Sequence, residues 1–131
     1  MTKDKAFLIF IVEDDPWYGQ LLKYHLSMNP DYEVQLFTTG KDFLQQLHRQ
    51  PDVVCVDYGL PDVQGDKLLK EVQQFNNQIP VVVISGQEEI SVAVNLLKAG
   101  ARDYIIKDPH TKDMLWRSIM NIRENSGLKQ Q

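Results

Sequence analysis

Two rhythms of apolar and polar positions alternate along the chain. Unbroken apolar runs, "FLIFIV" at 7–12, "VVCV" at 53–56 and "VVVI" at 81–84, read as strands covered on both faces. Between such runs, apolar residues fall three and four apart, as on one face of a helix. The first helical stretch follows Asp15, which suits an N-cap, with Pro16 at the first helical position. Its apolar face carries Tyr18, Leu21, Leu22, His25 and Leu26, and Pro30 closes it. "YEVQLF" (32–37) alternates as a short second strand, and "GKDFLQQLHRQ" (40–50) supplies Phe43, Leu44 and Leu47 at helical spacing.

The pattern then repeats. "PDVVCVD" (51–57) is a third strand, and "GDKLLKEVQQF" (65–75) a helix with Leu68, Leu69 and Val72 inward. "VVVIS" (81–85) is a fourth strand, and "EEISVAVNLLKAG" (88–100) a helix stopped by Gly100. "RDYIIK" (102–107) is the fifth strand, and "TKDMLWRSIMNIRE" (111–124) a helix with Leu115, Ile119 and Ile122 inward. The polar tail from residue 125 is expected to fray. Trp116 and Met120 lie off that stripe, as simple packing or as a contact surface.

Five strand–helix units with strongly apolar strands call for a doubly wound parallel sheet with helices on both faces. Right-handed crossovers make the flavodoxin-like strand order 2-1-3-4-5 the natural choice. With 131 residues and no linker before residue 125, a single domain over 1–131 is expected, its core at about 7–125.

Composition narrows the function. A net charge of −4, with basic residues dispersed, argues against nucleic-acid binding by this segment. The longest apolar opening is six residues, too short for a signal peptide or membrane span, so a cytoplasmic protein without a membrane partner is expected. Cys55 is the single cysteine, inside an apolar run, and reads as a buried, inert thiol. His25, His48 and His110 share no ligand spacing and are assigned no chemistry.

Ligands of such sheets bind at the carboxyl ends of the strands. Those ends carry Glu13 and Asp14 after the first strand, Asp57 after the third, Ser85 after the fourth and Lys107 after the fifth. Three carboxylates so gathered repel unless a cation intervenes. Hard oxygens with room for water and phosphate suit Mg²⁺. Lysine and hydroxyl can then hold phosphoryl oxygens while Asp57 serves as nucleophile, which makes a phosphoryl site.

At these residues the chain resembles the receiver (CheY-like) domains of two-component response regulators. The resemblance covers residues 7 to about 125 and rests on "VEDD", "VDYGLPDVQG", "VVVISG" and "KAGARDYIIK" in order. The family pattern D-x-x-L/M-P-x-x-x-G is met by Asp57, Leu60, Pro61 and Gly65. The resemblance implies that Asp57 is the phosphoacceptor, with Asp14 a direct Mg²⁺ ligand and Glu13 acting through water. It further implies that the Gly59 carbonyl binds the metal, that Ser85 and Lys107 hold phosphoryl oxygens, and that Tyr104 is the aromatic switch. The implied partners are a sensor histidine kinase or phosphotransfer protein, an output domain in the parent chain, and a second copy. That copy would dock through the fourth helix, fifth strand and fifth helix, where Tyr104 and Trp116 are expected. "VEDDPWYGQLLKYHLSMNPDYEV" is also similar to receivers of sigma-54-dependent activators, which points to transcription as output.

Two other functions would use part of this constellation. An aspartate-nucleophile phosphatase of the haloacid dehalogenase type needs a second Asp two residues after the first, where this chain has Gly59. A phosphorylation-independent interaction module would have lost an acid, the hydroxyl or the lysine, and all are present. The expectation is therefore a signalling domain rather than an enzyme, with limited self-phosphorylation and self-dephosphorylation. One departure stands out. Receivers usually place a cis proline directly after the site lysine, whereas here the order is Lys107, Asp108, Pro109. A cis bond before a non-proline residue costs roughly 3 kcal/mol or more, so a trans Lys107–Asp108 bond is expected.

Overall fold

The computed structural model describes residues 6–86 and 89–129, with side chains described through 126. Glu88, where the sequence pattern begins the fourth helix, lies outside the described residues, as do Gln130 and Gln131. The strands are β1 (Phe7–Val12), β2 (Tyr32–Phe37), β3 (Val53–Asp57), β4 (Val81–Ser85) and β5 (Asp103–Ile106). The helices are α1 (Pro16–Leu26), α2 (Gly40–Gln46), α3 (Gly65–Phe75), α4 (Ile90–Lys98) and α5 (Thr111–Lys129). All strands are parallel, in the order β2-β1-β3-β4-β5.

Alternation inside each apolar run splits the core in two. Phe10, Val12, Val54, Val56, Val81 and Val83 face α2, α3 and α4, packing with Phe43, Leu68, Leu69, Val72 and Leu96. Ile9, Ile11, Val53, Cys55, Val82 and Ile84 face α1 and α5, packing with Leu22, Leu26, Leu115, Ile119 and Ile122. β3 and β4 are buried along their whole length, which is why their sequences lack a polar alternate. Each such side chain contributes about 1.5–3 kcal/mol when fully buried.

The punctuation is chemical. Asp15 accepts from the N–H groups of Trp17 and Tyr18, capping α1 as expected. Gly100 has φ +112°, and the N–H groups of Gly100 and Ala101 return to the carbonyls of Leu97 and Leu96, so α4 ends in a Schellman turn. A Cβ at Gly65 would lie 2.8 Å from Tyr58 Cα, so only glycine lets α3 start this close to the end of β3.

Three expectations are corrected. α1 ends at Leu26 rather than at Pro30, where Ser27 turns its N–H back to the carbonyls of Lys23 and His25. α5 continues to Lys129 rather than fraying from 125, and Asn125 donates to Asn121 one turn back. Trp116 is half-buried and packs on the α1 side of the sheet, not on the side of α4. Its ring lies 5.4 Å from His25 and 6.0 Å from Tyr32, so it faces α1 and β2, away from the surface formed by α4 and β5. Its partners are distant in sequence, so periodicity within α5 alone could not place it.

Candidate functional site

The carboxyl ends of β1, β3, β4 and β5 bring the expected residues together. Glu13 extends the β1–β2 ladder, its N–H donating to Phe37 O at 2.9 Å, and the residue is 2% exposed. Glu13 Oε2 accepts from the Asp15 N–H at 3.1 Å, so the turn into α1 also fixes the carboxylate. Asp14 points to solvent. Asp57 ends β3, buried, and its Oδ1 accepts from the Gly59 N–H at 3.2 Å. One oxygen each of Glu13, Asp14 and Asp57 lies within 4.8 Å of the others, the grouping able to hold a metal among the described residues.

Lys107 supplies the positive charge. Its Nζ is 2.9 Å from Glu13 Oε1 and 3.5 Å from Asp57 Oδ2. Its backbone N–H donates to Ser85 O at 2.8 Å, which ties the lysine to the buried end of β4. No cis peptide bond occurs among the described residues, so the Lys107–Asp108 bond is trans, as expected from the late proline. The loop after Lys107 is held by Thr111. The buried Thr111 Oγ1 accepts from the Asp108 N–H at 2.7 Å and lies 2.9 Å from the carbonyls of Ile106 and Asp108.

Charge and burial oppose each other here. Burial pushes the Glu13 carboxyl up to about 7; hydrogen bonds from Lys107 and Asp15 pull the other way, and the Asp57 charge adds to the rise. Burial works against the Lys107 ammonium, but the Glu13 hydrogen bond and the Asp57 charge outweigh it and hold its pKa above the ordinary value. Three acids facing one ammonium leave negative charge uncompensated. Hard oxygen donors so placed fit a divalent cation that keeps part of its water.

A family model described as the response regulator receiver domain matches residues 9–118. The chain belongs to the response regulator receiver family. This receiver is 31% identical over 94% of its length to the transcriptional regulatory protein PhoP of Escherichia coli (strain K12). It spans 55% of that relative's length, about half of the curated proteins it matches. Among solved structures it is similar to the signal receiver domain of a putative Luxo repressor protein from Vibrio parahaemolyticus. That likeness has a TM-score of 0.87 at 27% identity and covers 95% of each chain. A CheY-like receiver domain protein from Methanospirillum hungatei JF-1 gives a TM-score of 0.81 at 25% identity, covering 93% of this chain and 98% of the other.

Three residues near the receiver's site escaped the sequence pattern as site components. Tyr18 belongs to the apolar face of α1, yet its ring centroid lies 4.9 Å from Lys107 Nζ. Asp62, in the loop after β3, accepts from the N–H groups of Gly40 and Lys41 at 3.1 and 3.0 Å, clasping that loop to the start of α2. Thr111 is the third, and its place opening a helix after a proline is the one local signal any of them gave. Tyr104 is half-buried, packed against the half of the core that includes Leu96 of α4.

Proposed function

We propose that this receiver accepts a phosphoryl group on Asp57 from a histidine kinase or phosphotransfer protein and thereby alters its α4-β5-α5 surface. The observation that carries this reading is Lys107 Nζ lying between Glu13 Oε1 and Asp57 Oδ2 at the mouth of a three-carboxylate cluster. Asp14 and Asp57, with the Gly59 carbonyl and with Glu13 through water, would hold Mg²⁺. When bound, the cation supplies charge neutralisation at the phosphoryl oxygens.

The chain's own residues do the rest. Asp57 Oδ attacks phosphorus as the bond to the donor's nitrogen or oxygen breaks, giving an acyl phosphate. The Lys107 ammonium exchanges its carboxylate contacts for a phosphoryl oxygen, and the Ser85 hydroxyl donates to another. Tyr104, packed beside α4, is suited to follow the Ser85 movement and pass it to that helix. The names of the relatives support a transcriptional output from a domain beyond this segment, in the cytoplasm where such kinases act.

Incubation with Mg²⁺ and acetyl phosphate, followed by intact-mass measurement, tests the assignment. One phosphoryl group is expected on the wild type and none on Asp57→Asn or after chelation. Asp14→Asn should react at least about tenfold more slowly, since removing one carboxylate charge from a divalent cation's ligands costs more than about 1.4 kcal/mol. A phosphoryl group surviving in Asp57→Asn would sink the assignment.

A further inference from the structure

Tyr18 reaches the site from α1, an element that contributes none of the acids or phosphoryl ligands. Its ring packs against the sheet face formed with α1 and α5, and Lys107 Nζ sits 4.9 Å from the ring centroid. Its hydroxyl is buried with no hydrogen-bond partner among the described residues. The ring face, rather than the hydroxyl, is therefore what Tyr18 offers the lysine.

We propose that Tyr18 is a positioning residue for phosphoryl transfer, its ring a shelf that keeps the Lys107 ammonium between Glu13 and Asp57. This rests on the reading of Asp57 as phosphoacceptor. Lys107 stands on a four-carbon stem with many rotamers, and its side chain is 28% exposed. Its two carboxylate partners are the groups that a divalent cation and a phosphoryl group compete for. Their hold on the ammonium weakens once that charge is shared. The π face attracts a cation through its fixed quadrupole, whatever charge the carboxylates carry. The ring thus holds the ammonium near Asp57 through the change of partners. Lysine order is prepaid before the reaction, where geometry counts most.

The test compares the wild type with Tyr18→Phe, Tyr18→Leu and Tyr18→Met. Proton–carbon NMR on lysine-labelled protein reads the Lys107 ε-methylene directly. Ring-current displacement to high field is expected in the wild type and in Tyr18→Phe, and its loss in the Leu and Met variants. Phosphorylation by acetyl phosphate at saturating Mg²⁺ should be unchanged in Tyr18→Phe and about fivefold slower in Tyr18→Leu and Tyr18→Met. Mg²⁺ affinity should be the same in all four, because Tyr18 supplies no oxygen to the Glu13, Asp14 and Asp57 cluster.

An undisplaced Lys107 resonance in the wild type overturns the proposal without any variant. So does a wild-type rate in the aliphatic variants, or a loss of Mg²⁺ affinity in step with rate, which would mark a merely structural role. Failure of the wild type to be phosphorylated on Asp57 would instead overturn the reading beneath it, while the resonance would still report the ring–lysine contact.

Discussion

Asp15 turns its carboxylate to the first N–H groups of α1, while its own N–H holds Glu13 two residues earlier. Asp14, between them, is left exposed at the mouth of the cluster. One acidic run thus serves a helix end and a candidate metal site through separate residues, so the two roles can be cut apart. Asp15→Ala should lower stability to urea by about 1 kcal/mol, the usual worth of an N-cap. It should leave Mg²⁺ affinity within about twofold of wild type, a change near 0.4 kcal/mol. A calorimetric titration showing the affinity collapse would mean that Asp15 is itself a ligand. The division was legible in sequence because capping is local: acid, proline and helical spacing lie within four positions. Tyr18 was not legible as a site residue. Its partner is Lys107, just past the end of β5, and a tyrosine at helical spacing looks the same whether it packs on leucine or under an ammonium.

At the scale of elements, loops on either side of the site are pinned by side chains rather than by their own backbones. Asp62 ties the loop after β3 to the N-terminus of α2, where the N–H of Gly40, and less so that of Lys41, holds its carboxyl below the usual 3.8. A carboxyl whose pKa is lower in the folded protein stabilises it above the unfolded value, and the benefit is lost as pH falls through the folded one. Asp62→Asn should therefore reduce the urea midpoint at neutral pH, and the gap between wild type and variant should close as pH is taken well below 3.8, through the lowered folded pKa. A gap of the same size at both pH values would assign the effect to shape and not charge. The loop after β5 depends on Thr111 in the same way. Thr111→Val keeps the volume but leaves the Asp108 N–H without its 2.7 Å acceptor, at a cost of about 1–3 kcal/mol, whereas Thr111→Ser should retain most of the stability. Strand limits were readable because β1, β3 and β4 are apolar runs bounded by acids, prolines and a serine. The end of α5 was not, since Asn125 belongs to a poor helix-forming stretch that continues the helix nonetheless.

For the molecule as a whole, the parallel order followed from strands without polar alternates, which only helices on both faces can cover. Which exposed surface is left for partners did not follow, because exposure depends on how the layers close. Trp116 packs on His25 and Tyr32, whereas α4 keeps Ile90 79%, Val94 40% and Leu97 46% exposed, and Ile106 of β5 is exposed as well. Ile90, Val94 and Leu97 are spaced four and three apart, a single stripe on one side of the helix. A stripe of that kind lowers solubility unless it is used. If phosphorylation reshapes the surface around Tyr104, this stripe is what a second copy would meet. Addition of beryllofluoride and Mg²⁺, which would imitate the acyl phosphate proposed for Asp57, should then shift sedimentation from monomer toward dimer. Leu97→Glu should keep the protein monomeric under the same conditions, since two like charges would face each other across a two-fold contact. Trp116→Phe should dimerise as the wild type does, because its ring is directed toward α1. The reverse result, with Trp116→Phe monomeric and Leu97→Glu dimeric, would move the contact to the α1–α5 side and leave the α4 stripe for a different partner.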